Sequence, residues 1–68
     1  MSAWFQEHRL EWARESIKIF GFLNREHLML KFGISAPQAA KDFGEAKKRW
    51  PRLFHYNSIR KRYERMEG

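Results

Sequence analysis

The stretch of sequence that most constrains the fold spans residues 32–42, which read FGISAPQAAKD. Gly33 can adopt the left-handed backbone conformation that closes a helix, and Ile34 can then fold back onto the last turn of that helix. Ser35 can cap the free N–H groups of a new helix, and Gln38, three residues later, completes an S-x-x-Q capping box. These signals predict a helix end, a tight turn and a new helix start, which together make a helix-turn-helix.

Pro37 supports a helix start at this point, because a proline in the first turn removes only an N–H group that has no partner within the helix. In a small basic protein, a two-helix corner of this kind is how a helix is presented to the major groove of DNA. The sequence therefore predicts double-stranded DNA as a partner.

The length of 68 residues fits a single domain, which we expect to span residues 1–68. The sequence contains no cysteine, which excludes disulfides, thiolate zinc sites and thiol catalysis. No apolar run approaches the length of a membrane span or of a signal-peptide core. We therefore expect a cytoplasmic, nucleoid-associated protein that makes no membrane contact.

The positive charge is concentrated in the second half of the chain. Residues 1–40 hold five Lys or Arg against four Glu, whereas residues 41–65 hold nine Lys or Arg against three acidic residues. A concentrated positive field favours a polyanionic partner, because neutralising phosphates releases their counterions. The alternative is a charged surface that only keeps the domain soluble.

Hydrophobic periodicity and turn residues predict three helices, at about residues 4–20, 25–32 and 36–50. A hairpin of two short strands is predicted to follow at about residues 53–64. The predicted fold is therefore mainly α: a three-helix helix-turn-helix core with a C-terminal two-stranded β wing, which is a winged helix.

Apolar residues repeat at helical spacing on one side of each predicted helix, which indicates the side that faces the core. Gly21 can end the first helix, and Asn24 can cap the second. Asp42 lies beside the apolar side of the third helix, where we expect it to pair with a nearby Arg or Lys. The predicted core positions are Leu10, Ala13, Ile17 and Phe20 in the first helix, Leu28 and Phe32 in the second, and Ala39, Phe43, Ala46 and Trp50 in the third.

The other side of the third helix would be available to a DNA groove. Gln38 carries a donor and an acceptor that together match adenine, while Lys41 can donate to guanine or to a phosphate. Gly44 on this side could permit the close approach of a backbone. An ordinary solvated surface is the alternative interpretation. The predicted DNA-binding residues here are Ser35, Ala36, Pro37, Gln38, Ala40, Lys41 and Lys48.

The predicted wing offers a second contact with DNA. Arg60, Lys61 and Arg62 are consecutive near its tip, with Asn57 or Ser58 suited to the turn. Basic residues on a wing would touch phosphates or the minor groove, which adds affinity and orientation but little sequence discrimination. The alternative is a charged edge strand that resists aggregation.

These residues resemble the N-terminal winged helix-turn-helix of bacterial WYL-domain transcription regulators. The resemblance covers about residues 8–64 and implies a dimeric regulator, often a repressor of defence or stress genes, that binds operator DNA. Family members continue into a C-terminal effector domain, so the chain is either an excised domain or a small free-standing protein such as phages encode. The residues that carry the resemblance are Arg25, Leu28, the run Phe32-Gly33-Ile34-Ser35, the run Pro37-Gln38-Ala39, Asp42, Pro51, Tyr56 and Tyr63.

The first helix has a wider apolar arc than docking to a single core requires. The additional apolar residues favour a homodimer, because two-fold symmetric proteins read two half-sites about one DNA turn apart. The alternative is that Phe22, Leu23 and the C-terminal tail cover this side within one chain. The predicted interface residues are Trp4, Phe5, Trp12 and Ile19.

The sequence gives little support to catalysis or to metal binding. His8, His27 and His55 belong to three different predicted elements and lack the spacing of a helical metal site. We therefore expect no catalytic residue, no metal and no cofactor. The competing class of function is a protein-interaction module, for instance a phage or mobile-element protein whose winged helix binds and inhibits a host protein. RNA binding is a weaker alternative, because the predicted wing is too short for a platform of stacking aromatics.

Overall fold

The computed structural model describes residues 2–66, with side chains from Phe5 onward. One short strand lies between the first helix and the helix-turn-helix. The other two strands follow the helix-turn-helix as a hairpin. Within the described residues the elements are α1 Ser2–Phe20, β1 Phe22–Leu23, α2 Arg25–Phe32, α3 Ala36–Arg49, β2 Phe54–Asn57 and β3 Arg62–Arg65. This is the predicted winged helix.

The sheet has one strand more than the sequence predicted. Its strand order is β1-β3-β2, and both pairs are antiparallel. Tyr63 in the central strand pairs with Leu23 on one side and with Tyr56 on the other. Strand β1 contains only two residues, which is too short for an alternating pattern to show in the sequence. Through its pairing with β3, this strand connects the end of α1 to the wing.

The turn between α2 and α3 has the predicted chemistry. Gly33 adopts a left-handed conformation with φ 64°, and its N–H donates to the carbonyl of Met29 at 2.8 Å. Ile34 packs against the core, and the Ser35 hydroxyl accepts a hydrogen bond from the Gln38 N–H at 3.3 Å. These two helix ends confirm the helix-turn-helix.

The predicted capping box at Ser35 is only half formed, because the Gln38 side chain donates to Asp42 instead. The missing half is the hydrogen bond that the Gln38 side-chain oxygen would accept from the Ser35 N–H. A complete capping box occurs at the start of α2, where Asn24 accepts from the His27 N–H and His27 Nδ1 accepts from the Asn24 N–H. The predicted cap at Asn24 is therefore confirmed.

The core lies where the three helices meet one side of the sheet. The ring of Phe43 stacks on that of Tyr63, with centroids 4.4 Å apart, and lies edge-on to Phe54. Leu23 of β1 belongs to the same buried cluster as Ile17 of α1. The fully or nearly fully buried apolar side chains in the described part of the chain are Leu10, Ala13, Ile17, Leu23, Leu28, Ala39, Phe43, Ala46 and Phe54.

The prediction that Phe20 faces the core is wrong. Its side chain is 67% exposed, because α1 ends at this residue and Leu23 takes the core position beyond it. Phe32 and Trp50 are half-buried at the edge of the core rather than inside it. Helix α3 ends one residue before the predicted position, since Trp50, which precedes Pro51, has a non-helical φ of −129°.

Asp42 is completely buried, and it joins α3 to α1. Arg9 of α1 donates to both carboxylate oxygens through Nε and Nη2. Gln6 of α1 donates to Oδ1 at 3.1 Å, and Gln38 of α3 donates to the same oxygen at 3.0 Å. The predicted pairing of Asp42 with a basic residue is confirmed. Four donors thus surround the carboxylate, three on Oδ1 and one on Oδ2.

Replacing Asp42 with alanine should strongly destabilise the domain. The substitution leaves the Arg9 guanidinium, only 12% exposed, without its carboxylate, and breaking a buried pair in this way costs about 3–5 kcal/mol. A domain of this size has a total stability of roughly 3–10 kcal/mol. We expect Asp42→Ala to be largely unfolded in far-UV circular dichroism without denaturant.

The matched control is Glu7→Ala, which also removes a carboxylate that links α1 to α3. Glu7 pairs with Arg49 on the surface, where solvent screens the interaction. Its urea unfolding midpoint should stay close to that of the unchanged protein. Equal destabilisation by the two substitutions would contradict the anchoring role of Asp42.

Candidate nucleic-acid interface

Helix α3 presents a small and basic surface on the side opposite the core. Pro37, Ala40, Lys41, Gly44 and Lys48 are all exposed and fall on one side of the helix at 100° per residue. A Cβ atom added at Gly44 would meet nothing within 4 Å. The centre of this side therefore has little bulk, and lysines lie along it. Such a surface can approach a nucleic-acid groove closely.

Ser35 and Ala36 lie at the N-terminal end of this surface. Ser35 is exposed, and its hydroxyl is committed to the cap of α3. Gln38, in the first turn, is half-buried, and its amide nitrogen is held by Asp42. The structure therefore places one predicted base-reading side chain in a fixed orientation and leaves the other, Lys41, exposed one turn along the helix.

The wing turns at Asn57, as the sequence predicted. Its side-chain oxygen accepts from the backbone N–H groups of Ile59 and Arg60, both at 3.0 Å. Lys61 closes the turn with a left-handed φ of 56°. Arg60 and Lys61 are exposed at the tip, so both side chains are accessible to a phosphate backbone.

Arg62 differs from its two neighbours because it is held within the domain. Its Nε donates to Glu64 Oε2 at 2.8 Å, and its guanidinium lies 4.3 Å from the centre of the Phe22 ring. The contact joins the outer strand β1 to the wing. Fixing the side chain in this way lowers the entropy that it would lose on meeting a phosphate.

Residues of helix α3 and of the wing line one cleft of about 280 Å³. It brings together the predicted residues Ala40, Lys61 and Arg62, while Lys48 lies farther along α3. The sequence did not single out Arg25, the first residue of α2, as a contact; its position directly after the Asn24 cap was the available signal, since helix N-termini attract anions. The residues lining the cleft are Asn24, Arg25, Ala40, Phe43, Tyr56, Lys61, Arg62 and Tyr63.

A family model described as the BrxR transcriptional regulator winged helix-turn-helix domain matches residues 6–68. The chain belongs to this family. The match extends over nearly the whole chain and includes α3 and the wing, and it confirms the kind of domain that the resemblance implied. The domain is thus the winged helix of a family of transcriptional regulators. A comparison with curated proteins finds no match.

The BrxR-family domain has a second surface, formed by α1, β1 and α2. Phe20 is 67% exposed and Leu30 is 85% exposed, and the two border a groove of about 580 Å³. We call this surface the apolar groove. Its lining residues are Trp12, Ser16, Phe20, Phe22, Leu23, His27, Leu30 and Lys31.

The structure shows what covers the predicted dimer residues within one chain. Trp12 is half-buried because the Phe32 ring of α2 packs edge-on against it, with centroids 5.5 Å apart. Ile19 is 70% exposed, and Phe5 is 47% exposed. The Trp4 side chain lies outside the described part of the structure. This cover of Trp12 by α2 is one that neither interpretation of the sequence anticipated.

Within residues 2–66, no group of three or more His, Asp or Glu side chains is placed to hold a metal ion. No helix in the same range is long and apolar enough to cross a membrane.

Glu64 should titrate at unusually low pH. Hydrogen bonds from Arg62 and then from Asn57 lower the pKa of its carboxyl, because both stabilise the ionised form. At pH values above the ordinary pKa of a glutamate, the ion pair between Glu64 and Arg62 therefore stabilises the wing. This contribution is lost as the pH falls through the lowered pKa of Glu64. We expect Arg62→Gln to raise the titration midpoint of the Glu64 carboxyl, which is measured by following its carboxyl resonance by NMR as the pH changes.

The comparison variant is Arg60→Gln, which removes a nearby cation that acts on Glu64 only through charge. It should raise the midpoint less than Arg62→Gln does. A midpoint that is the same with and without the Arg62 guanidinium would show that this hydrogen bond does not form in solution.

Proposed function

We propose that this domain binds double-stranded DNA in a sequence-specific manner as part of a transcriptional regulator, in the role of a repressor. Helix α3, Ala36–Arg49, would enter the major groove as the recognition helix, and the basic wing would rest on the phosphate backbone. The observation that carries the proposal is the shared cleft, because it directs Ala40 of α3 and Lys61 of the wing toward the same side of the molecule. The proposal includes no catalytic step and no cofactor, and it places the protein on the nucleoid in the cytoplasm.

The distribution of roles follows from the chemistry of each contact. Gln38 and Lys41 lie in the first two turns of α3, which is the part of a recognition helix that meets base edges. Arg25, Arg60, Lys61 and the fixed guanidinium of Arg62 are suited to phosphates, which give affinity and orientation. Lys48, near the C-terminal end of α3, would contact the backbone where the helix leaves the groove.

Removing two cations from this surface should weaken binding to every duplex. For Lys41→Ala combined with Lys61→Ala, we expect lower affinity and a salt dependence whose slope, log K against log salt concentration, falls by about 2, because each phosphate contact contributes about 0.9. Fluorescence anisotropy with a random-sequence duplex at several salt concentrations measures both quantities.

The control is Lys18→Ala combined with Arg52→Ala, which removes the same charge from exposed positions beside the C-terminal end of α3. It should leave the slope nearly unchanged. If both double variants alter the slope equally, binding depends on net charge rather than on the proposed face. Binding that does not weaken with salt would favour the alternative of a protein partner.

We further propose that two copies associate through the apolar groove together with Ile19 and Phe5. Copies of a chain with net charge +6 repel each other, so they can approach most easily through a surface with little charge. The apolar groove carries Lys31 and His27 at its rim and is otherwise mostly apolar. Exposed side chains of this size on one side of a small domain favour association.

Leu30→Glu should prevent this association. The substitution introduces a charge at an 85% exposed position beside the groove, so it should not disturb the core. We expect sedimentation equilibrium at micromolar concentration to show dimers for the unchanged protein and monomers for Leu30→Glu. Ile59→Glu is the control, because Ile59 is 90% exposed on the wing, away from the groove. Monomers alone for the unchanged protein, with and without DNA, would rule out the dimer.

A further inference from the structure

The Gln38 amide is tied to a group that cannot donate a hydrogen bond. Its Nε2 lies 3.0 Å from Asp42 Oδ1, and the same carboxylate also receives Gln6 and both donating atoms of Arg9. An ionised carboxylate accepts hydrogen bonds and donates none. Only the nitrogen end of the Gln38 amide can therefore face Asp42, and rotating the amide by 180° would place its oxygen against the carboxylate.

This orientation decides which end of the amide remains available. Among the hydrogen bonds of residues 2–66, none ends on Gln38 Oε1. Gln38 is half-buried in the first turn of α3, next to the exposed surface of that helix. We infer that Asp42 acts as a positioning residue for Gln38, so that Gln38 Oε1 accepts a hydrogen bond from the exocyclic amine of a DNA base. This inference rests on the proposed function.

The consequence is a narrower specificity than the residue type implies. A glutamine that can rotate offers either a donor or an acceptor to a base edge, and it can therefore also accommodate the keto oxygen of guanine or thymine. With one Nε2 hydrogen donated to Asp42, the nitrogen end is turned toward the buried carboxylate, and the oxygen end is the one that matches a base: the N6 amine of adenine or the N4 amine of cytosine. The anchor reaches beyond α3, because Arg9 and Gln6 hold the same carboxylate from α1.

The first step of the test locates the contacted base pair. Preferred duplexes are selected from a random library with the unchanged protein and with Gln38→Ala, and the position whose preference changes is identified. No preferred sequence for the unchanged protein would contradict the proposed function, and this inference with it. A preferred sequence that Gln38→Ala leaves unchanged at every position would overturn the inference alone.

The second step removes single groups from that base pair. The exocyclic amine is deleted with purine in place of adenine or 2-pyrimidinone in place of cytosine. The keto oxygen is deleted with 2-aminopurine in place of guanine or 5-methyl-2-pyrimidinone in place of thymine. We expect amine deletion to weaken binding of the unchanged protein about tenfold relative to its effect on Gln38→Ala, and keto deletion to affect both proteins equally. The opposite pattern would overturn the inference.

Asp42→Asn tests the positioning role itself. Asparagine has nearly the shape of aspartate, but its amide offers both a donor and an acceptor, so either end of Gln38 can face it. We expect this variant to become sensitive to keto deletion as well as to amine deletion. If Asp42→Asn remains sensitive to amine deletion alone, Asp42 does not set the orientation of the Gln38 amide. If it fails to fold, the base-analogue results with the unchanged protein and Gln38→Ala decide the orientation of the amide.

Discussion

The buried carboxylate of Asp42 is the interaction on which the arrangement of this domain depends. A charge at a fully buried position is tolerated only when donors surround it, and Arg9 and Gln6 of α1 provide them together with Gln38. The need for these donors fixes both the rotation of α3 about its own axis and its position along α1. The side of α3 that remains outside is consequently the small, basic side centred on Ala40 and Gly44, which makes the helix suitable for a groove.

The wing is fixed by different contacts, and these connect it to the same helix. Phe43 of α3 stacks on Tyr63 of the central strand, so the sheet cannot shift along α3 without breaking that packing. Arg62 of β3 packs on Phe22 of β1 and pairs with Glu64, and Asn57 of β2 donates a hydrogen bond to the same Glu64. Helix α3 and the wing are therefore joined through the core, and among the cleft cations Arg62 is held by contacts within the domain.

Local chemistry made much of the fold predictable. Gly33, Ser35, Asn24 and Asn57 act through hydrogen bonds to backbone groups a few residues away, and such signals can be recognised in a sequence. The helix-turn-helix and the turn of the wing followed from them, the pairing of Asp42 followed from helical periodicity, and the family match confirms the domain type. Strand β1, the exposure of Phe20 and the cover of Trp12 by Phe32 did not follow, because each depends on how the elements pack against one another.

The candidate site shows the same division between local and distant causes. The sequence by itself predicted that α3 follows a cap at Ser35, that Lys41 lies on its outer side and that cations cluster at the wing, because capping signals, helical periodicity and charge counts need no tertiary contact. Only the tertiary structure decided that Arg25 joins the wing cations in one cleft and that the Gln38 amide is oriented by Asp42. The first depends on packing between elements far apart in the chain. The second is a contact one turn apart within α3, and its carboxylate is held by Arg9 and Gln6 of α1.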